Sequence, residues 1–232
     1  MSAMVASGAP RPVGGRRFEL THPRRAGAVG TALLLVAVGG AIAFRHHPAP
    51  VGVDTAWAEA MTAVRGAWLT FIAEHVFDPL GRFPISWVIV AIAGAVLWRD
   101  GRRRAIAVLV IGEAASWATN SVIKAVVDRP RPPGALIEAS RSSFPSGHAA
   151  FAAVTAVLLV GLLVPAGRRA GPAVLAGALA VAMGWSRTYL LVHWVTDVIG
   201  GLCVGAGVGL ITLAAMGDAA DRTDRSRPDR TH

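Results

Sequence analysis

The first long apolar stretch of the sequence, Ala26–Phe44, reads AGAVGTALLLVAVGGAIAF and contains no charged residue. A helix rises about 1.5 Å per residue, so about 20 apolar residues cross the roughly 30 Å hydrocarbon core of a bilayer. This stretch is therefore predicted to be a membrane-spanning helix. No small-residue cleavage site of a signal peptide separates it from Arg45, so we expect the helix to be retained.

Five further apolar stretches follow, and the whole sequence has the composition of a membrane protein. Hydrophobic residues make up 53% of the 232 residues and charged residues 16%, whereas an ordinary soluble domain carries about 25% charged residues. The third and sixth stretches approach full spanning length, and the shorter ones need flanking residues to cross. We expect an all-α bundle of six transmembrane helices, residues 26–216. The predicted spans are Ala26–Phe44, Phe83–Trp98, Ala105–Val127, Ala149–Val164, Ala170–Trp185 and Val198–Met216.

Arginine residues dominate the charge of the chain, which is +9 overall with a sequence pI near 11.5. Such a pI is usual for proteins that bind nucleic acid. Here, however, the basic residues form short clusters between apolar stretches, which favours a membrane protein that binds no nucleic acid. Because basic loops face the cytoplasm, we expect both termini inside and the alternate loops outside. The orienting clusters are Arg11, Arg16, Arg17, Arg24 and Arg25, then Arg99, Arg102, Arg103 and Arg104, and finally Arg168 and Arg169.

The segments outside the apolar stretches are assigned from their composition. Residues 1–25, rich in Gly, Pro and Arg, are predicted to form a disordered cytoplasmic tail, and residues 217–232 a charged cytoplasmic tail. Between the first two spans, apolar residues recur at helical spacing in Asp54–Phe77, with Asp54 as the N-cap. This pattern predicts an amphipathic helix on the outer face, which either lies in the membrane interface or packs on the bundle.

Three polar segments interrupt the apolar pattern, and all three fall in loops predicted to face outward. The first includes Lys124 and Arg131, the second is Ser146–His148, and the third includes Arg187. These cations would repel one another without an anion, and their side chains suit phosphate oxygens. A helix that begins at Ser146–His148 would also attract an anion through its free N–H groups. Together the segments predict a phosphate-binding site at the outer surface.

Two histidines in these segments suit catalysis rather than simple anion binding. His148 stands beside the predicted anion site, placed to give a proton to a leaving oxygen. His193 and Asp197 are four residues apart, hence on one helix face, where the carboxylate would fix the imidazole tautomer and leave the other nitrogen free to attack. Singly, each residue has a plainer explanation: Lys124 could extend its charge to the membrane surface, and Arg187 could be a surface charge. Their joint occurrence on one predicted face favours an active site.

Further polar residues precede Lys124 on the same predicted helix face, namely Glu113, Ser116 and Asn120. An ionisable residue this deep is costly in lipid, so Glu113 should point into the bundle. It belongs either to a polar network behind the phosphate site or to a structural contact with a neighbouring helix.

The three polar segments together resemble the signature of the type 2 phosphatidic acid phosphatase superfamily. The resemblance implies that His193 attacks phosphorus and forms a phosphohistidine, that Asp197 orients it, and that His148 protonates the leaving group. It also implies that the enzyme needs no metal ion or other cofactor. The implied phosphate-binding residues are Lys124, Arg131, Ser146, Gly147 and Arg187. The matching motifs are Lys124-x6-Arg131-Pro132, Pro145-Ser146-Gly147-His148 and Ser186-Arg187-x5-His193-x3-Asp197, without departure at a polar position.

We therefore expect an integral-membrane phosphatase of lipid phosphates or diphosphates in the bacterial plasma membrane, with its site facing outward. By analogy with compact bacterial members, polyprenyl diphosphate is the expected substrate, with phosphatidylglycerol phosphate and phosphatidic acid as alternatives. A lipid phosphotransferase, in which an alcohol replaces water, fits the same residues. The related vanadium-dependent haloperoxidases and acid phosphatases resemble soluble proteins, which the apolar stretches disfavour. A non-catalytic lipid-binding protein would not need both histidines and Asp197.

Overall fold

A computed structural model describes residues 22–139 and 142–225, and over these residues the chain is helical, without a β-strand. Eight helices follow one another in this part of the chain, and a short 3-10 turn, Ala166–Arg168, precedes the seventh. The all-α prediction is thus confirmed. The helices are α1 Pro23–His46, α2 Gly52–Ala63, α3 Ala67–Leu80, α4 Ile85–Arg99, α5 Arg103–Val127, α6 Gly147–Leu163, α7 Ala170–Tyr189 and α8 Val195–Arg225.

Three of the described helices are long and apolar enough to cross a membrane, namely α1, α5 and the part of α8 that ends at Met216. Helices α3 and α4 meet at 56° and together would make a fourth crossing. Helix α6 is also apolar but has 17 residues. The chain is therefore a membrane protein with three or four candidate spans by helix length and composition, where the sequence analysis expects six.

The predicted spans coincide with helices, and the clearest differences lie at the two ends. Helix α1 begins at Pro23, three residues before the predicted span, and proline is favoured in the first turn because its fixed φ suits a helix. Helix α8 continues from Met216 to Arg225, so the first part of the predicted charged tail is helical. Residues 1–21 and 226–232, which hold the rest of both predicted tails, lie outside the described residues.

The segment between the first two spans forms two helices, so the single helix predicted for Asp54–Phe77 is wrong. The break lies at residues 64–66, where Gly66 is extended. The hydroxyl of Tyr189, at the end of α7, stabilises this break: it accepts a hydrogen bond from the Gly66 N–H at 3.0 Å and lies 3.2 Å from the Gly66 carbonyl oxygen. A contact with a distant helix therefore decides where α2 ends.

Asp54 also differs from its prediction, because it lies in the first turn of α2 rather than at the N-cap. Val51 is the N-cap residue, and its N–H donates to Oδ2 of Asp54 at 3.2 Å. Asp54 is 1% exposed. The reason is tertiary, since the same carboxylate binds Arg129 and Thr196.

Helix α8 is the centre of the bundle, with α1 along one side and α6 along another. Glycines recur every four residues on the side of α8 that faces α6, at Gly201, Gly205 and Gly209. Small residues at this spacing let helix backbones approach closely in membranes. A Cβ atom at Gly201 would lie 2.3 Å from the carbonyl oxygen of Ser146, and one at Gly205 would lie 2.0 Å from that of Ala150. The glycines thus set the distance between α6 and α8.

The three polar segments lie together at one end of the bundle, where α5 and α7 end and α6 and α8 begin. The basic loops after α4 and α6 lie at the opposite end. There Arg102 donates to the carbonyl oxygen of Leu162 at 2.5 Å, and Arg169 to that of Gly161 at 3.0 Å. Basic side chains therefore bind the carbonyl groups that the C-terminus of α6 leaves free.

The close approach of α6 and α8 predicts that Gly205→Ala destabilises the protein. Its Cβ would lie 2.0 Å from the Ala150 carbonyl oxygen, and overpacking typically costs about 1–3 kcal/mol. The measurement is the unfolding temperature of detergent-purified protein. Gly177→Ala in α7 is the matched control, because its Cβ meets nothing within 4 Å, and we expect it to be neutral or stabilising by up to about 1 kcal/mol. Equal unfolding temperatures for the two variants would contradict this account of the α6–α8 contact.

Candidate active site

The three polar segments border a cavity of about 290 Å³ at this end of the bundle, which we call the phosphate cavity. Two predicted site residues, Ser146 and Asp197, do not line it but are fully buried next to it. The structure therefore brings all eight predicted site residues together. The other six, which line the cavity, are Lys124, Arg131, Gly147, His148, Arg187 and His193.

His193 lies in the turn between α7 and α8, and its two ring nitrogens face different partners. Nε2 is 3.5 Å from Nη1 of Arg131, and Nδ1 is 3.5 Å from Oδ2 of Asp197. The Nδ1–Oδ2 distance is longer than an ordinary hydrogen bond of about 2.9 Å, as is common in unliganded active sites. Burial lowers the pKa of His193 to about 4, although the Asp197 carboxylate acts to raise it. The imidazole is therefore neutral at pH 7, with a lone pair available for attack.

Asp197 is fully buried at the start of α8, and its carboxylate is held by two strong donors. The N–H of Trp194 donates to Oδ2 at 2.8 Å, and Nη1 of Arg129 donates to Oδ1 at 2.5 Å. The backbone carbonyl of Asp197 also accepts a hydrogen bond from the N–H of Ser146 at 2.9 Å. Asp197 thus joins the beginning of α8 to the beginning of α6, and its orientation towards His193 is fixed from behind.

Arg129 and Asp54 form a buried ion pair that the sequence analysis did not assign to the site. Nη2 of Arg129 lies 2.7 Å from Oδ2 of Asp54, and both side chains are fully buried. The guanidinium also lies 3.6 Å from the ring centroid of Phe44 in α1. A signal was present in the sequence: Arg129 and Arg131 both lie in a loop predicted to face outward, where the orientation rule does not favour basic residues.

Lys124 and Arg131 are placed side by side by a shared backbone acceptor. Nζ of Lys124 donates to the carbonyl oxygen of Ser142 at 2.7 Å, and Nη2 of Arg131 to the same oxygen at 3.4 Å. Nη1 of Arg131 donates to the carbonyl oxygen of Val192. Backbone oxygens thus hold both side chains at the cavity, and lysine and arginine are side chains that suit phosphate oxygens.

Arg187 reaches the cavity from the end of α7 and is held by α3. Its Nη1 donates to Oδ1 of Asp78 at 2.5 Å and its Nη2 to the carbonyl oxygen of Ala73 at 3.2 Å. Ala73 begins a π-helical turn within α3, a local form that is frequent at functional sites. Asp78 also pairs with Arg82, Oδ2 to Nε, at 2.6 Å. From the sequence Asp78 is only a turn residue, and no local pattern identifies it as the partner of Arg187.

His148 lies in the first turn of α6, and its ring is placed by the last turn of α3 and the residue that follows it. Nε2 lies 3.1 Å from the carbonyl oxygen of Asp78 and 3.6 Å from its Oδ1. Gly81 leaves room for this ring, because a Cβ there would lie 2.1 Å from Cδ2 of His148. The hydroxyl of Ser146 is buried and has no hydrogen-bond partner within residues 22–139 and 142–225. The cavity therefore combines two imidazoles, three cations and an unused hydroxyl, which suits a tetrahedral oxyanion.

Comparison with known proteins places this arrangement in a family. The model of the PAP2 superfamily matches residues 105–221, which include all eight site residues. Phosphatidylglycerophosphatase B of Bacillus subtilis is 32% identical over 168 residues, which cover 69% of this chain and 81% of that protein. Decaprenylphosphoryl-5-phosphoribose phosphatase of Mycolicibacterium smegmatis is 36% identical over 159 residues, which cover 66% of this chain and 83% of that protein.

Two solved structures superpose on this chain. The crystal structure of a transmembrane PAP2 type phosphatidylglycerolphosphate phosphatase from Bacillus subtilis superposes with a TM-score of 0.66 and 27% identity, covering 85% of this chain and 98% of that one. LpxE of Aquifex aeolicus, at 22% identity, shares the fold with a TM-score of 0.60 and covers 70% of this chain and 96% of that one. The signature residues lie around one cavity, and the family model and the relatives agree. The chain therefore belongs to the PAP2 superfamily of membrane lipid phosphatases.

Proposed function

We propose that this membrane lipid phosphatase hydrolyses its substrate through a covalent phosphohistidine on His193. The observation that carries the proposal is the convergence on one cavity of two imidazoles and three cations from separate parts of the chain. A protein that only bound a lipid phosphate would use the cations. It would have no use for a neutral His193 beside a fixed Asp197 or for a second imidazole at His148.

In the first step, Nε2 of His193 attacks phosphorus while the bond from phosphorus to the ester oxygen of the lipid breaks. Nδ1 keeps its proton, which points towards the carboxylate of Asp197, so the charge that develops on the ring is stabilised. His148 gives a proton to the departing oxygen, and the lipid leaves as an alcohol. The products of this step are the lipid alcohol and phosphohistidine.

In the second step, His148 accepts a proton from a water molecule, and the oxygen of that water attacks phosphorus. The bond between phosphorus and Nε2 breaks, and inorganic phosphate leaves. His193 is again a neutral imidazole. The same residue thus serves as acid and then as base, which returns the site to its starting protonation state.

The charge on the transferring phosphoryl group is balanced by Lys124, Arg131 and Arg187. Arginine offers a planar pair of donors to phosphate oxygens, and lysine a compact charge. Donors that are already oriented cost no reorganisation during the reaction. Ser146 and Gly147 add a hydroxyl and a backbone N–H at the start of α6, where the helix dipole also favours an anion.

The proposed substrate is a phosphate ester of an amphiphilic lipid whose phosphate lies at the membrane surface. Two of the relatives are named for phosphatidylglycerophosphate and for decaprenylphosphoryl-5-phosphoribose, and in both names the phosphate is joined to a polar alcohol. We therefore favour a phosphate monoester of this kind. Polyprenyl diphosphate, the substrate expected from the sequence, remains the alternative prediction.

We propose further that the chain crosses the membrane six times, with both termini inside and the phosphate cavity outside. The fourth and fifth crossings would be α6 and α7, and α3 and α4 would make the second. Support comes from Arg102 and Arg169, members of the second and third arginine clusters, which lie at the end of the bundle opposite the cavity. Helix α2 and the start of α3 would lie in the outer interface, where Trp68 is 77% exposed.

The proposed orientation predicts which loops can be labelled from outside intact cells. In a Cys203→Ala background, a membrane-impermeant thiol reagent should modify Ala135→Cys, near the cavity, and not Asp100→Cys, between α4 and α5. Both residues are exposed, so access to the reagent depends on the side of the membrane. Permeabilised cells provide the control, in which both cysteines should react. Labelling of Asp100→Cys in intact cells would reverse the orientation.

The two histidines are distinguished by trapping the covalent intermediate with an activated aryl phosphate. His193→Ala should abolish both turnover and trapping, because no other group takes its place. His148→Ala should still form phosphohistidine, because an aryl leaving group departs without a proton. General acid catalysis contributes roughly 10²–10⁴-fold, so the same variant should lose that much on a lipid alkyl phosphate. Trapping in His193→Ala but not in His148→Ala would mean that the roles are exchanged.

Arg129 is proposed as a positioning residue that acts through Asp197. Arg129→Lys keeps the charge but cannot reach both carboxylates with separate donors, so Asp197 and His193 should shift. A misplacement of about 1 Å costs roughly 10²-fold in rate. We expect kcat on an aryl phosphate to fall by about that factor while KM changes little.

The control is Arg45→Lys, which replaces an arginine that donates to the carbonyl oxygen of Val126 away from the histidines. It should leave both kinetic constants near their starting values. If Arg129→Lys lowers the unfolding temperature but leaves kcat unchanged, Arg129 has a purely structural role.

A further inference from the structure

A second cavity of about 320 Å³ joins the phosphate cavity and runs between α4, α5 and α6; we call it the lateral cavity. The two cavities share Lys124, Gly147 and His148. His193 lines only the phosphate cavity. The lateral cavity therefore begins beside the proposed proton donor and leads away from the proposed nucleophile.

The wall that α5 contributes to the lateral cavity is polar at a depth where lipid would favour apolar residues. Asn120, Ser116 and Glu113 follow Lys124 towards the middle of the helix at spacings of three and four residues, on one face. Glu113 lies three helical turns, about 16 Å, from Lys124, and this distance is roughly half the hydrocarbon thickness of a bilayer. Polar groups at this depth usually mark a ligand or ion path.

These polar groups are only partly satisfied by one another. Oε1 of Glu113 accepts a hydrogen bond from the Thr155 hydroxyl of α6 at 2.7 Å, so the contact with a neighbouring helix that the sequence allows is present. Asn120 is 8% exposed, and its Oδ1 has no hydrogen-bond partner in the part of the chain that the structure describes. A buried amide oxygen without a donor is unfavourable. A hydroxyl group of a ligand would supply that donor.

Asn120 lines the lateral cavity near the residues that both cavities share. It precedes Lys124 by one helical turn, and its Nδ2 lies 3.6 Å from the position that a Cβ of Gly147 would take. A group bound at Asn120 would therefore be attached close to the phosphate rather than far along a lipid chain. Two exposed aromatic side chains flank the cavity: Trp117 of α5 is 71% exposed, and Phe83, in the turn before α4, is 79% exposed. Lipid chains could pass between them into the bilayer.

We propose that the lateral cavity binds the leaving group of the reaction as a hydroxyl-bearing headgroup, of glycerol or sugar type, with a hydroxyl next to the phosphate hydrogen-bonded to Asn120. The inference rests on the proposed function, because His148 gives its proton to an oxygen at the mouth of this cavity. Phosphoryl transfer places the attacking and leaving groups in line. With His193 on one side of phosphorus, the leaving group extends to the other side, into the lateral cavity. Substrates with a neighbouring hydroxyl are then preferred over plain alkyl or polyprenyl esters.

The test uses two soluble substrates that differ by one hydroxyl and the full-length protein in detergent. The first is the octyl ether of glycerol phosphate, with its free hydroxyl, and the second is octyloxypropyl phosphate, which lacks it. A hydrogen bond to a buried group changes a binding constant by about tenfold. We therefore expect kcat/KM to be roughly tenfold higher for the hydroxyl compound. In Asn120→Leu the ratio should fall to about one, mainly through KM.

Two further variants make the result decisive. Asn120→Ala removes the side chain without adding an apolar branch, and it replaces Asn120→Leu if that variant does not fold. In it too, the ratio of kcat/KM for the two substrates should be about one. Thr119→Ala, on the same helix but outside the cavity lining, is the matched control and should keep the starting ratio.

The inference and the proposed function fail in different ways. Loss of phosphohistidine trapping at His193 with an aryl phosphate would overturn the proposed function and the inference with it. Normal trapping together with a ratio of one in the unmodified protein would overturn only the lateral-cavity assignment. A preference that persists in both Asn120 variants would likewise overturn it, because the hydroxyl would then be bound elsewhere.

Discussion

The guanidinium of Arg129, fully buried between the carboxylates of Asp54 and Asp197, is the interaction on which the rest of the site depends. Its partners come from α2 and α8, and it also packs on Phe44 of α1. Removing one partner from a buried ion pair costs about 3–5 kcal/mol, because the other charge is left uncompensated in a medium that cannot hydrate it. One side chain therefore joins α1 and α2 to Asp197 of α8, the residue proposed to orient His193.

The packing of α8 brings the other half of the site to this point. Its glycines let α6 approach so closely that a Cβ at Gly201 would lie 2.3 Å from the carbonyl oxygen of Ser146. The N–H of the same serine donates to the backbone of Asp197. The start of α6 carries Gly147 and His148, so the close contact between α6 and α8 also sets the positions of these two site residues. A change that separates the helices would also separate His148, the proposed acid, from His193, the proposed nucleophile.

The two cavities suggest how one site can combine a common reaction with a particular lipid. The phosphate cavity is bordered by charged side chains and by the two proposed catalytic histidines, which any phosphate ester would meet. The lateral cavity is lined by α4, α5 and α6, and its polar wall would meet only the alcohol side of the substrate. Lys124, Gly147 and His148 line both cavities, so in the proposed mechanism the same residues couple binding of the alcohol to proton transfer.

The sequence by itself predicted the positions of the long apolar helices, because apolar run length is a local property. It also singled out the eight residues that the structure brings together, because their spacing within three short segments is local too. Only the tertiary structure decided the break between α2 and α3, which Tyr189 of α7 stabilises, and the partners of the charged groups. Asp54 was predicted as a helix cap and is instead a counterion of Arg129, while Asp78 holds Arg187. These pairs join residues 75 and 109 positions apart, and nothing in either segment alone indicates the other. A buried charge must find its counterion somewhere, but which one it finds depends on how the helices pack.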